Sequence, residues 1–183
     1  MPLAHVYLAP GFEEVEALTI VDVLRRAGVE TLLVALDDQL SVTGAHDVVV
    51  QADRAFAAVE GQLADAIVLP GGPGAEALAA HPGITTRLRA HQSAGKHVAA
   101  ICAAPSVLSR AGVLEGRKAT CFPGYEEKLR AGGAEYAGYN VVQDGQFTTG
   151  RGPATAGLFA LELARQLAGE EAALKVGRAM LYV

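Results

Sequence analysis

Residues 64–74 read A-D-A-I-V-L-P-G-G-P-G. A nearly all-apolar run that ends in a glycine-rich turn, with helical residues following through Gln92, describes a strand covered on both faces rather than one face. The same unit recurs on either side. H-V-Y-L-A near the start precedes a helical pattern over Glu13 to Ala27, T-L-L-V-A-L follows it, and H-V-A-A-I at 97–101 leads into a helix from about Ala104 to Ala111. Strands apolar on both faces that alternate with helices specify an α/β protein with a doubly wound, mostly parallel sheet flanked by helices. Ligand chemistry in such a sheet is expected at the carboxyl ends of the strands.

The remaining segments fit around that frame. S-V-T-G-A-H-D-V-V-V reads as a hairpin or irregular β segment, and from Lys118 the pattern shortens to K-A-T-C-F, Y-N-V-V and Q-F-T-T, with a hairpin turn at Asp144-Gly145. Two helices, about Pro153 to Leu167 and Glu170 to Met180, close the chain. No repeat or linker divides it, so residues 1–183 are read as one domain.

Composition narrows the function classes. The net charge of −5, without a block of like charge, argues against nucleic acid and against a membrane-surface helix. The longest uncharged run, Val98 to Ser109, is too short to span a bilayer, and Glu13 and Glu14 interrupt the first apolar stretch; the expectation is a cytoplasmic protein. Cys102 and Cys121 form neither a disulfide framework nor a C-x-x-C pair, and no paired histidine spacing accompanies them, so no metal is expected.

Three strand ends carry unusual residues: E-E-V-E after the first strand, P-G-G-P-G after the central one, and A-A-I-C-A-A-P at 99–105. Cys102 stands on a strand-to-helix bend among small neighbours, the setting of a strained nucleophile, and the start of a helix favours thiolate. The alternative is a small buried hydrophobe that ends a core strand. On a helical projection of Glu13 to Gly28, Glu13 and Glu16 fall in the apolar arc, where burial raises a carboxyl pKa toward values useful for proton transfer; as solvated first-turn residues they would do nothing of the kind. Gly71 and Gly72 lack a complete phosphate-loop motif; their N–H groups either form an oxyanion hole or serve a simple turn. None of the five histidines sits at an expected carboxyl strand end.

These residues resemble the ThiJ/PfpI superfamily, in the branch of YajL and the Parkinson's-disease protein DJ-one. The match spans essentially the whole chain and is carried by L-A-P-G-F-E-E-V-E, V-L-P-G-G at 68–72, A-A-I-C-A-A-P and R-G-P-A-T at 151–155. The resemblance implies a flavodoxin-like sandwich of the class I glutamine-amidotransferase kind that forms homodimers. It implies Cys102 as elbow nucleophile and redox-sensitive thiol and Glu16 as the carboxylic acid bonded to it. Gly71, Gly72 and the N–H of Ala103 match its oxyanion positions, and Arg26 and His46 match the dimer-proximal rim of the pocket. Two departures stand out. Ala103 replaces the histidine that protease-like and chaperone-like relatives place after the cysteine, and Phe122 replaces a histidine found before the proline in some relatives.

The activity so implied is that of a cofactor-free glyoxalase or deglycase, a hydro-lyase or hydrolase acting on 2-oxoaldehydes such as methylglyoxal or on their protein or nucleotide adducts. The alternative is a redox-sensing, stress-protective or chaperone protein that works through oxidation of Cys102. An amidase or peptidase is disfavoured by Ala103.

Overall fold

The computed structural model describes all 183 residues, Met1–Val183. In chain order the elements are β1 (Leu3–Leu8), α1 (Glu14–Arg26), β2 (Glu30–Ala35), β3 (Ser41–Thr43), β4 (Val49–Gln51), β5 (Arg54–Ala55), β6 (Ala66–Leu69), α2 (Ala75–Ala80) and α3 (Pro82–Ser93). There follow β7 (His97–Ile101), α4 (Pro105–Arg110), β8 (Lys118–Ala119), α5 (Glu126–Ala131), β9 (Glu135–Tyr136), β10 (Val141–Asp144), β11 (Phe147–Gly150), α6 (Ala156–Ala168) and α7 (Glu170–Ala179).

Seven strands form one sheet in the order β10-β11-β7-β6-β1-β2-β5. All pairings are parallel except β10 with β11, the hairpin that turns at Asp144-Gly145. The order reverses beside β1, as a doubly wound sheet requires.

The two-sided burial read from A-I-V-L is literal. Ala66 and Val68 enter one core with Val6, Leu8, Ala99 and Ile101, while Ile67 and Leu69 enter the other with Tyr7, Val98 and Ala100. Alternation along each strand thus feeds two cores of nearly equal size, 26 and 25 buried residues. α1 and α6 cover the first, and α2, α3 and α4 pack on the second.

Three local expectations are corrected. The helix expected to run through Gln92 breaks at His81, whose extended conformation (φ −81°, ψ 114°) is what the following Pro82 imposes. Pro82 then opens α3, where its missing N–H costs nothing. K-A-T-C-F is a strand only at Lys118–Ala119, paired with β9, and Cys121 lies beyond it in an irregular segment, wholly buried. The closing helix begins at Ala156 after a short 3-10 turn over Pro153–Thr155. The segment around residues 41–51 is a separate antiparallel hairpin, β3 with β4.

Candidate active site

The carboxyl ends of β1, β6 and β7 lie side by side at the centre of the sheet, so the segments after Leu8, Leu69 and Ile101 meet there. Cys102 follows β7 with a positive φ of 65°. That conformation costs a non-glycine residue about 1–3 kcal/mol and persists only where the surroundings impose it. Here its N–H donates to Gly150 O at 2.9 Å, extending the β7–β11 ladder by one step, and its carbonyl accepts from the Phe122 N–H at 2.9 Å. Ala103 and Ala104 are buried against the bend, and Pro105 starts α4.

Gly71 stands between the thiol and the first helix. A β-carbon on it would lie 2.6 Å from Cys102 Cβ and 2.9 Å from Glu16 Oε2, so only glycine lets the three segments approach so closely. Its N–H donates to Glu16 Oε2 at 2.7 Å. This corrects the reading of Gly71 as an oxyanion donor, because its one N–H already holds the carboxyl group. The donors directed at the Cys102 sulfur are the N–H groups of Gly72 and Ala103.

Glu16 is fully buried, and its Oε1 has no well-formed protein hydrogen bond. Burial pushes its pKa up to about 7, against the Gly71 N–H and a hydrogen bond with Cys102, which favour the ionised form. Burial also pushes the Cys102 thiol up, to about 12, reinforced by the Glu16 charge and opposed by the Gly72 and Ala103 N–H groups. The expected lowering of the thiol pKa by the helix start is therefore not what the site produces. α4 has only six residues, and the thiol is 9% exposed beside a carboxylate. The two groups titrate as a unit. Once the shared proton sits on Glu16, the like charge disappears and the carboxyl O–H becomes a donor to the thiolate.

This pair carries a stability consequence. A carboxyl whose folded pKa is raised from 4.5 to about 7 contributes stability that is complete below pH 4.5 and is lost as pH rises to about 7. The span corresponds to about 3 kcal/mol. Urea unfolding of Glu16→Gln should accordingly show a gain over wild type at pH 8 that shrinks toward zero at pH 4.5. A constant difference between the two proteins across that range would contradict the assignment.

At the rim, His46 bonds Glu14: its backbone N–H donates to Oε1 at 2.7 Å and its Nδ1 lies 2.8 Å from Oε2. Although burial works the other way, the bonds from His46 and the backbone hold the Glu14 carboxyl down at about 2, and Glu14 in turn raises His46. Glu14, not Glu13, is thus the second buried carboxylate of α1, and it was missed because Glu14 stands outside the apolar arc on a bare helical projection. Glu13 Oε1 is 3.9 Å from the same imidazole nitrogen. Ligand atoms of Glu13, Glu14 and His46 lie within 4.8 Å of one another, but His46 and Glu14 satisfy each other directly.

Arg26 lies elsewhere in the chain. It pairs with Asp22 in the last turn of α1, ten residues and so about 15 Å along the helix from Glu16. Within one chain it does not reach the pocket rim, because α1 runs away from the site.

The two cysteines should separate by alkylation. Cys121 is wholly buried and its thiol is likewise pushed up to about 12, by burial and the nearby Glu126 charge, against the more distant Arg130 and Arg151 charges rather than any backbone N–H. Iodoacetamide followed by peptide mass spectrometry should label Cys102 at least tenfold faster in the folded protein, the direction that access and thiolate-stabilising donors both give. Equal labelling would remove the distinction.

The sequence matches the DJ-1/PfpI family over residues 3–166. It is 39% identical to the protein dj-1beta of Drosophila melanogaster over 179 residues, 97% of this chain and 96% of the relative. The crystal structure of Drosophila melanogaster DJ-1beta matches with a TM-score of 0.95, covering 98% of this chain and 97% of that one. Identity is 35% over 159 residues to the glutathione-independent glyoxalase DJR-1.2 of Caenorhabditis elegans, 87% of this chain and 84% of the relative. It is 36% over 143 residues to deglycase PH1704 of Pyrococcus horikoshii, 78% of this chain and 86% of the relative. Together with the parallel sheet and the cysteine bend, these matches place the chain in the DJ-1/PfpI family.

Proposed function

We propose that this protein is a cofactor-free cysteine enzyme acting on 2-oxoaldehydes such as methylglyoxal, or on the adducts they form with amines and thiols. The observation that carries the reading is a buried carboxyl, held by the Gly71 N–H, that shares one glycine's space with a thiol on a strained bend. The glyoxalase and deglycase names of the relatives support the substrate class.

The chemistry follows from the pair. The Cys102 sulfur adds to the aldehyde carbon as Glu16 and the Gly72 and Ala103 N–H groups manage the charge, giving a hemithioacetal. Glu16 takes the proton from the former aldehyde carbon and returns it to the adjacent one, which leaves a thioester of lactate. Water cleaves the thioester and restores the thiol. The sum is one methylglyoxal and one water converted to lactate. Purified protein incubated with methylglyoxal in the absence of glutathione should form lactate well above the uncatalysed rate; no product above that rate would end the proposal.

A second reading keeps the same residues in a redox sensor. The Gly72 and Ala103 N–H groups and a protonated Glu16 are suited to hold the oxygens of a sulfinic acid formed on Cys102. Oxidation of Cys102 by peroxide without any aldehyde turnover would favour it. Peptide hydrolysis lacks a base, since Ala103 follows the cysteine and His46 is committed to Glu14.

The protein is further proposed to act as a homodimer. Val15 and Leu18 on α1 and Val48 and Val49 beside the β3–β4 turn are exposed, and the Glu14–His46 bonds join these two segments. Exposed apolar side chains on two segments tied together in this way are what an interface between two copies would cover. Light scattering at micromolar concentration should give twice the chain mass of 18.9 kDa, and a monomer would leave His46 without a partner-facing role. No helix is long and apolar enough to cross a membrane.

A further inference from the structure

The β3–β4 hairpin is no part of the seven-stranded sheet, yet its turn closes over the loop that leads into α1. The Gly11 N–H donates to Thr43 O at 2.8 Å, and the Ala45 N–H donates to Phe12 O at 2.8 Å. Beside these bonds Glu14, the first residue of α1 and 7% exposed, takes the His46 N–H on one carboxylate oxygen and meets His46 Nδ1 with the other. The turn is shaped to that carboxylate. A β-carbon on Gly44 would overlap Glu14 Oε1, and Asp47 holds a positive φ of 63° three residues later.

The other side of the same loop adjoins the thiol site. The Gly74 N–H donates to Gly11 O at 3.0 Å, and the Glu13 N–H donates to Gly71 O at 3.0 Å. Gly71 therefore accepts from the start of α1 with its carbonyl and gives its N–H to Glu16. Residues 11–13 are held between the hairpin and the Gly71–Gly74 turn, and Glu16 follows within the first turn of α1. The Glu14–His46 pair is the side-chain link between α1 itself and the hairpin. Its charge is not what reaches the acid, because the titratable groups that act on Glu16 are Cys102 and Glu13.

We propose that Glu14 is a positioning residue for the reaction: seated in the β3–β4 turn, its carboxylate fixes the first turn of α1 so that Glu16 stays dry beside the Cys102 thiol. The proposal rests on the reading of Glu16 as the proton shuttle. Misplacing a catalytic group by about 1 Å can cost a hundredfold in rate. A first turn free to move would also admit water to Glu16, whose raised pKa depends first on burial. Position and proton affinity are therefore lost together.

Gly44→Ala is the decisive variant, because it leaves Glu14, Glu16 and Cys102 in place and pushes only on the seated carboxylate. With methylglyoxal as substrate it should lower kcat roughly tenfold or more and leave KM within about twofold. The pH inflection set by Glu16 should move from about 7 toward 4.5. Glu14→Ala should do the same, whereas Glu14→Gln keeps the shape and an acceptor for the His46 N–H and should restore roughly half of the rate or more. In the double variant Gly44→Ala/Glu14→Ala the added methyl meets no carboxylate, so its loss should equal that of Glu14→Ala alone. A role in stability alone would lower the melting temperature and leave kcat and the inflection of the folded protein unchanged. That result overturns the proposal, as do multiplied losses in the double variant or a Glu14→Gln as damaged as Glu14→Ala. Should Gly44→Ala fail to fold, His46→Ala removes the imidazole, keeps its backbone bond to Glu14 and should lower kcat about threefold with the same shift; no change there is equally fatal. Alkylation of Cys102 by iodoacetamide against pH reads the Glu16 inflection without any substrate. A wild-type protein that shows the inflection and forms no lactate ends the enzyme reading, and the seating of Glu16 is then decided by whether Gly44→Ala moves that inflection.

Discussion

Cys102→Ser should lower methylglyoxal turnover by roughly 10⁴-fold or more, the scale on which enzymes lose rate when a covalent nucleophile is removed. The substitution keeps the Cβ and therefore the conformation at φ 65°, and the Gly72 and Ala103 N–H groups retain an acceptor. Stability should change by only about 1 kcal/mol, so unfolding midpoints separate loss of chemistry from loss of fold. A serine variant that retained more than a tenth of wild-type turnover would show that the sulfur forms no obligatory intermediate. The companion Cys121→Ser should keep turnover, because Cys121 is wholly buried and the Gly72 and Ala103 N–H groups and Glu16 act on Cys102 instead.

The loss expected from that single atom depends on a backbone that the sequence exposes in part. The parallel sheet was legible because A-I-V-L and H-V-A-A-I are apolar at every position, which only a strand between two cores requires, and the cysteine bend was legible from its small neighbours. Glu16 was legible as a carboxylate in an apolar arc. What pattern does not carry is the partner of each group. That Gly71 offers its N–H to Glu16 rather than to an oxyanion depends on how three loops meet, and Glu14 is buried only because the β3–β4 turn brings His46 over it. A helical projection shows which way a residue faces its own helix and says nothing of a loop folded back from 32 residues further along the chain. The rise in the thiol pKa escaped for a similar reason. A helix start argues for thiolate, whereas burial and the adjacent carboxylate, both products of tertiary packing, argue more strongly against it. The break at His81 needed only Pro82 and could have been read locally.

The carboxylate supplies the second large effect. Glu16→Gln keeps an oxygen to accept the Gly71 N–H and an amide N–H to donate toward the sulfur, but it cannot carry a proton between two carbons. Turnover should fall by about a hundredfold or more, the usual scale of general acid–base catalysis. Alkylation of Cys102 should persist or quicken, because the neighbouring negative charge that helps raise the thiol pKa is gone. Glu16→Leu removes the donor as well and leaves the Gly71 N–H unpaired, so its alkylation should fall below that of the glutamine variant. Glu13→Gln should stay near wild type in both measurements, since Glu13 acts on Glu16 only as a more distant charge. The pH profile adds a further test. The reactive form of the pair holds one proton, so kcat/KM should rise as pH increases through about 7, where the doubly protonated pair loses its first proton. In Glu16→Gln that inflection should vanish. An unchanged profile in the glutamine variant, or a damaging Glu13→Gln beside a harmless Glu16→Gln, would place the proton shuttle on another group and take the proposed mechanism with it.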